Sequence, residues 1–158
     1  MKQYIIKPIG IIRTPHKDRD KTPIQPRFAF DIIGKIELFQ EYTDGLRDLD
    51  KFSHIYLLYI FNRENQVKLN VKPFLQDIER GIFATRAPCR PNHIGLSIVR
   101  LLSIQNNILE FSGADILDNT PLIDIKPYTR LFDCIENTKN GWQDELDKDE
   151  IEKRGRKL

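Results

Sequence analysis

The chain has 158 residues, of which 40% are hydrophobic and 30% charged, and its net charge is +2. That balance fits a single soluble globular domain, long enough to bury roughly 70% of its unfolded surface. No apolar run reaches the ~20 residues of a membrane helix, the N-terminal text does not read as a secretory leader, and Cys89 and Cys134 make no disulfide framework. The expected compartment is the cytoplasm, with no membrane attachment.

Strand text dominates the chain. Residues 4–12, YIIKPIGII, are rich in β-branched side chains, with Pro8 and Gly10 pointing to an edge or a bend. A polar loop follows from Arg13 to Pro26, stiffened by Pro15, Pro23 and Pro26. Residues 28–39 read as a strand kinked at Gly34, and 44–52 hold a turn dipeptide and one short helical turn. Residues 54–61, HIYLLYIF, are nearly continuous apolar text and predict a strand buried on both faces.

Residues 66–74 alternate as a half-exposed strand, and 81–85 make a short one. Residues 94–104 and 108–116 read as a hairpin across Asn106 and Asn107, since asparagine tolerates the positive φ of a tight turn. Residues 121–128 give a further strand closed by Pro127. Only the charged tail, 142–158, has a helical pattern, and it is expected to be helical or disordered. Six or seven strands without alternating helices predict a mainly β fold, a barrel or a sandwich.

Charge is unevenly spread. Residues 1–30 are net +5 and 80–109 net +4 without a single acid, whereas 31–79 are net −3 and 110–158 net −4. If the two basic segments meet in space, they form a positive surface for phosphate or carboxylate ligands.

Four polar passages interrupt the apolar frame. The first is the proline-rich stretch 13–27. The second is Ser53–His54, placed where an apolar strand begins and a barrel presents side chains to a ligand. The third is GIFATRAPCRPNHIG, 81–95. There Pro88 and Pro91 restrict the backbone, Arg86 and Arg90 offer guanidinium forks that match carboxylate or phosphate, and Asn92 can read a base edge or a carbonyl. The fourth is 117–128, where Asp118, Asn119 and Thr120 form a polar turn and Asp124, Lys126 and Tyr128 alternate on one strand face. A metal site built from His16, His54, His93 and Cys89 lacks the paired ligand spacings of structural zinc, and Cys89 beside His93 lacks a third member for nucleophilic catalysis; no metal is expected.

Taken in order, GIIRTP at 10–15, Gln25–Pro26, FSHIYLLYIF at 52–61, GIFATRAPCRPNHIGLS at 81–97 and DNTPLIDIKPY at 118–128 resemble the TrmO-type tRNA methyltransferases. The resemblance spans residues 5–128. It implies a non-Rossmann β-barrel at 1–140 followed by a short tail at 141–158, usually a homodimer, that binds S-adenosylmethionine. It further implies methylation of the N6 nitrogen of N6-threonylcarbamoyladenosine beside the anticodon of tRNA. Carried onto this sequence, the implied cofactor contacts are Thr14, Pro15, His16, Ser53, His54, Arg86, Leu96, Asp118, Asn119, Thr120 and Pro121. Two positions depart from the family pattern. His93 stands where proline is usual, which should loosen the loop, and Asn119 stands where glycine is usual, which the turn should tolerate.

Such a reaction needs in-line attack on an activated methyl and removal of a proton from a weakly nucleophilic nitrogen. Asp118, Asp124 and His54 are the candidate bases among the matched motifs. Arg86 or Arg90 is expected to take the carboxylate of the cofactor or of the modified nucleoside, with Arg90, Asn92, Lys126 and Tyr128 as candidate substrate contacts. Basic residues of the N-terminal loop, of 80–109 and of the KRGRK run at 153–157 would meet the tRNA backbone. A non-enzymatic RNA-binding barrel and a cofactor-sensing regulatory protein are the alternative readings.

Overall fold

The computed structural model describes residues 2–156. Among these described residues are eight strands: β1 (Gly10–Arg13), β2 (Ile33–Leu38), β3 (His54–Ile60), β4 (Asn70–Val71), β5 (Arg80–Gly81), β6 (Ile94–Gln105), β7 (Ile108–Ser112) and β8 (Thr120–Pro127). Six of them close into an antiparallel barrel in the order β1-β2-β7-β6-β3-β8, while β4 and β5 pair separately. Closure leaves the barrel no free edge. The fold is therefore the mainly β, single-barrel architecture expected, with two short helices, α1 (Arg130–Asp133) and α2 (Lys148–Arg156).

The barrel closes because each long strand carries an apolar inner row. Along β3, Ile55, Leu57 and Tyr59 are buried while His54, Tyr56, Leu58 and Ile60 are only partly covered. Ile12, Ile36, Val99, Leu109, Phe111 and Leu122 complete the filling from the other strands. Burial of each such side chain contributes roughly 1.5–3 kcal/mol. β3 is thus not buried on both faces as its apolar text suggested; a barrel wall has one inside. Its apolar outer row continues across β6 as Leu96, Ile98 and Leu102, each about 40% exposed (44%, 38% and 45%).

Other expectations shorten. Residues 4–9 form no strand, and Tyr4 and Ile5 are exposed. Pro8 cannot donate to a ladder, so pairing starts at Ile9, whose amide donates to Leu122 O at 2.8 Å. Residues 26–29 form a 3-10 turn begun by Pro26, and β2 starts only at Ile33. Gly34 does not kink β2. Its pairing with Phe111 is regular, and a Cβ there would stand 2.4 Å from the Phe111 ring. The strands expected at 66–74 and 81–85 reduce to the two-residue β4 and β5, with a 3-10 turn at Ile82–Ala84. The hairpin is present, turning at Asn106 with φ 54°, but β7 ends at Ser112 and residues 113–119 form a loop.

The tail is docked. The Trp142 indole donates to Ala84 O at 2.8 Å, Arg80 lies 5.9 Å above its ring, and the Ile24 amide donates to Gly155 O at 3.2 Å. Of the basic run at 153–157, Lys157 lies outside the described residues.

Candidate active site

Strand direction sorts the polar passages to two ends of the barrel. Tyr59 pairs with Gly95 and Leu122, and Ile12 with Thr120, so the end of β1, the end of β3 and the starts of β6 and β8 share one mouth. The loop that leaves β1, the 81–93 loop and the 113–119 loop all open there. Ser53 and His54 begin β3 at the other mouth, about 20 Å away at strand rise.

At the first mouth lies an open cleft of about 2030 Å³, walled in part by Tyr59, Arg86, Leu96, Asp115, Thr120 and Trp142. Small-molecule sites occupy roughly 300–1,000 Å³, so this cleft has room for a cofactor together with part of a larger substrate. The tail contributes Trp142, Leu146 and Ile151 to its wall.

Of the anticipated cofactor residues, Arg86, Leu96 and Thr120 line the cleft directly. Arg86 is exposed, and its guanidinium bonds Gln25 Oε1 at 2.9 Å. Thr14, His16 and Asp118 form a brace behind the wall. Asp118 accepts from the Thr14 amide at 3.1 Å and pairs with Lys17, while its own amide donates to His16 O at 2.8 Å. The Lys17 ammonium, then the Thr14 amide, hold the Asp118 carboxyl below the usual carboxylate range against the opposing effect of burial. A carboxylate so engaged is a weak proton acceptor. His16 Nε2 donates to Ala114 O at 2.7 Å, and the exposed Pro15 joins the two braced residues. Asn119 turns the chain with φ 64°, the left-handed region that asparagine tolerates, and its side chain accepts from Arg13 at 3.0 Å; Pro121 is the second residue of β8 and stands opposite Ile11.

Arg90 also lines the cleft, but one of its terminal nitrogens bonds Thr85 O at 3.1 Å and Ala87 O at 3.3 Å, holding the loop in shape. Asn92 is exposed beyond the wall. His93 takes φ 49°, which a proline ring forbids. Its amide donates to Arg90 O at 3.0 Å and its Nδ1 to Pro88 O at 3.1 Å. The loop is pinned by this residue rather than loosened.

The second mouth gathers the remaining candidates. Ser53 Oγ meets His54 Nδ1 at 2.9 Å, the His54 and Tyr128 rings stand edge to face at 6.3 Å, and Tyr128 donates its amide to His54 O at 3.0 Å. Lys126 pairs with Asp124 at 2.8 Å on the outer barrel face, where Asp124 stands opposite Leu58. Within one chain, therefore, Asp124, His54, Lys126 and Tyr128 do not reach the cleft.

Sequence reading passed over Asp115. This acid sits between Ala114 and Ile116, both buried, and accepts from the Ser97 hydroxyl at 2.8 Å. An isolated carboxylate within buried apolar text was the available signal.

The tRNA-methyltransferase O N-terminal domain matches residues 11–134 of the chain. This chain belongs to the tRNA-methyltransferase O family. Among relatives of that family, a probable S-adenosyl-L-methionine-binding protein of Pyrococcus abyssi is 50% identical over 136 residues, 86% of this chain and 74% of the relative. The tRNA (adenine(37)-N6)-methyltransferase of Escherichia coli is 35% identical over 90% of this chain and 65% of its own length. The crystal structure of TrmO from Pseudomonas aeruginosa superposes with a TM-score of 0.75 at 35% identity, covering 89% of this chain and 62% of that one. The chain thus spans less than two thirds of these two methyltransferases. The family match begins inside β1 and ends after α1, so the docked tail falls outside it.

Proposed function

We propose that the chain is an S-adenosylmethionine-dependent methyltransferase that modifies the N6 nitrogen of adenosine beside the anticodon of tRNA, with N6-threonylcarbamoyladenosine as the substrate nucleoside. The observation that carries this reading is the meeting of Arg86, Leu96 and Thr120, from two motifs far apart in sequence, on one cleft. Arg86 offers a guanidinium for the cofactor's carboxylate, and the exposed Leu96 side chain offers apolar surface for its uncharged parts. When bound, the sulfonium supplies the methyl group. The chain's own residues bind and orient, and the braced turn 118–121 keeps Thr120 in place through its bond to Leu117 O at 2.7 Å.

The reading includes a homodimer. The outer faces of β3 and β6 expose Tyr56, Leu58, Leu96 and Ile98 as a partly covered apolar surface. Two-fold antiparallel pairing on that surface swaps the two mouths. It lays Ser53 and His54 of the partner subunit near the cleft end of the first. This pairing reconciles a site split between opposite mouths of one chain. The reading also assigns 1–140 to the catalytic barrel, and it places the protein in the cytoplasm with its tRNA.

Incubation with labelled S-adenosylmethionine and two tRNAs, one bearing and one lacking the threonylcarbamoyl group, tests the assignment. Label in the modified tRNA alone supports the full reading. Label in both supports tRNA methylation and removes the nucleoside assignment. Calorimetry without cofactor binding would overturn the enzyme in favour of an RNA-binding barrel.

A further inference from the structure

The cleft floor holds a chain of polar groups that the motif-based site does not include. Ser97 donates its single hydroxyl proton to Asp115 Oδ1 at 2.8 Å. Tyr59 OH lies 3.1 Å from Ser97 Oγ, and because that proton is already committed, Tyr59 must be the donor to serine. The row Tyr59–Ser97–Asp115 runs from the barrel interior to the cleft, where Tyr59 and Asp115 are both part of the wall. Gly95 permits it, since a Cβ there would stand 2.2 Å from the Tyr59 ring. The charged and titratable groups facing Asp115 are Arg86, from the loop after β5, and Tyr59, from β3.

Resting on the reading of the site given above, we propose that Asp115 is the proton acceptor for the nitrogen that is methylated, with Ser97 and Tyr59 orienting its carboxylate. The nitrogen lone pair forms the N–CH3 bond as the S–CH3 bond breaks and its electron pair stays on sulfur; the N–H proton passes to the carboxylate. A sulfonium cation and a carboxylate anion become a neutral thioether and a neutral acid. The burial that raises the Asp115 carboxyl favours that loss of charge.

Position and electrostatics agree. Burial pushes the Asp115 carboxyl up to about 7, against the Ser97 hydroxyl, its own backbone amide and Arg86, which pull it down. An acceptor poised there is ionised at mildly alkaline pH and still basic enough to take a proton. Asp118, the base nearest in sequence, is held below the usual range by Lys17.

The test combines Asp115→Asn and Ser97→Ala in the full chain. Asp115→Asn retains an acceptor for Ser97 and is expected to lower the single-turnover methylation rate at pH 8 by about 100-fold or more, with cofactor affinity by calorimetry changed less than about threefold. A rate within about threefold of the wild type overturns the role. Ser97→Ala removes a group that stabilises the carboxylate, so the rising limb of the rate against pH moves to higher pH; an unmoved limb overturns the role. Carbon-13 carboxyl shifts of the cofactor-free protein give a readout independent of turnover. They should place a midpoint at about 7, higher in Ser97→Ala and absent in Asp115→Asn, whereas a midpoint near the ordinary ~3.9 overturns it. A wild-type chain that neither binds the cofactor nor methylates tRNA overturns both this inference and the function it rests on. An active wild type with an equally active Asp115→Asn overturns this inference alone.

Discussion

The backbone amide of Thr14 donates to the Asp118 carboxylate at 3.1 Å, joining two loops 104 residues apart in sequence. With Lys17 on the other oxygen, this contact ties the exit of β1 to the turn before β8. Asp118 reads as a brace of the site, and its protonation state bears on stability.

That assignment has a definite pH signature. The folded Asp118 carboxyl titrates below its ordinary range, chiefly through Lys17. A group depressed on folding stabilises the protein above its unfolded pKa and loses that contribution as pH falls through its folded one. Asp118→Asn is expected to cost about 1–2 kcal/mol at pH 7, and the gap from wild type should be narrower in acid at pH ~3, below the ordinary aspartate value of ~3.9. Urea denaturation at both pH values checks this. Asp115 has the opposite sign. Its carboxyl is raised to about 7, so it favours folding least above that pH, and Asp115→Asn should gain stability relative to wild type as pH rises from 5 to 8.

Arg86 and Arg90 should separate in their effects. Arg86→Lys keeps charge but loses the planar fork, and cofactor affinity is expected to fall about tenfold. Arg90→Lys should instead loosen the loop whose carbonyls at Thr85 and Ala87 it holds. Calorimetry combined with amide hydrogen exchange over 85–93 distinguishes the two.

The apolar outer face of β3 and β6 predicts self-association. Leu58→Arg with Ile98→Arg places charge on that surface without entering the barrel interior. The pair is expected to halve the mass in sedimentation equilibrium and to abolish methylation while leaving the circular dichroism spectrum unchanged. A wild-type monomer with full activity would remove the dimer from the proposal.

Trp142 fastens the tail to the Ile82–Ala84 turn through its bond to Ala84 O and its ring under Arg80. Trp142→Ala is expected to destabilise by about 1–3 kcal/mol and to raise hydrogen exchange in both the tail and that turn. Protection unchanged at 82–84 would show that the tail does not hold it.

Binding of tRNA should weaken steeply with salt. The cleft wall carries Lys17, Arg63, Lys68, Lys72, Arg86 and Arg90. For several phosphate contacts the slope of log K against log salt is roughly −0.7 to −0.9 per contact. Filter binding at 50 and 200 mM salt measures it, and a flat response would remove the phosphate contacts.

The mainly β class, the hairpin at Asn106 and the polar turn at Asn119 were legible in the amino-acid text, because side-chain periodicity and tolerance of positive φ are local properties; the choice of a barrel over a sandwich came from the family resemblance. The motifs also carried enough family pattern to point at Arg86, Leu96 and Thr120. Strand limits were not legible at 4–9 or 28–32, because whether an extended segment pairs depends on a distant partner and on donors that proline lacks. Nor could local text tell that Ser53–His54 and Thr120 stand at opposite mouths, since antiparallel register sets that separation. Asp115 is the clearest case. Surrounded by apolar letters it looks incidental, and only the closed barrel brings Ser97 and Tyr59 beneath it. Closing the barrel removes water from the carboxylate, and desolvation depends on the whole fold and not on sequence neighbours.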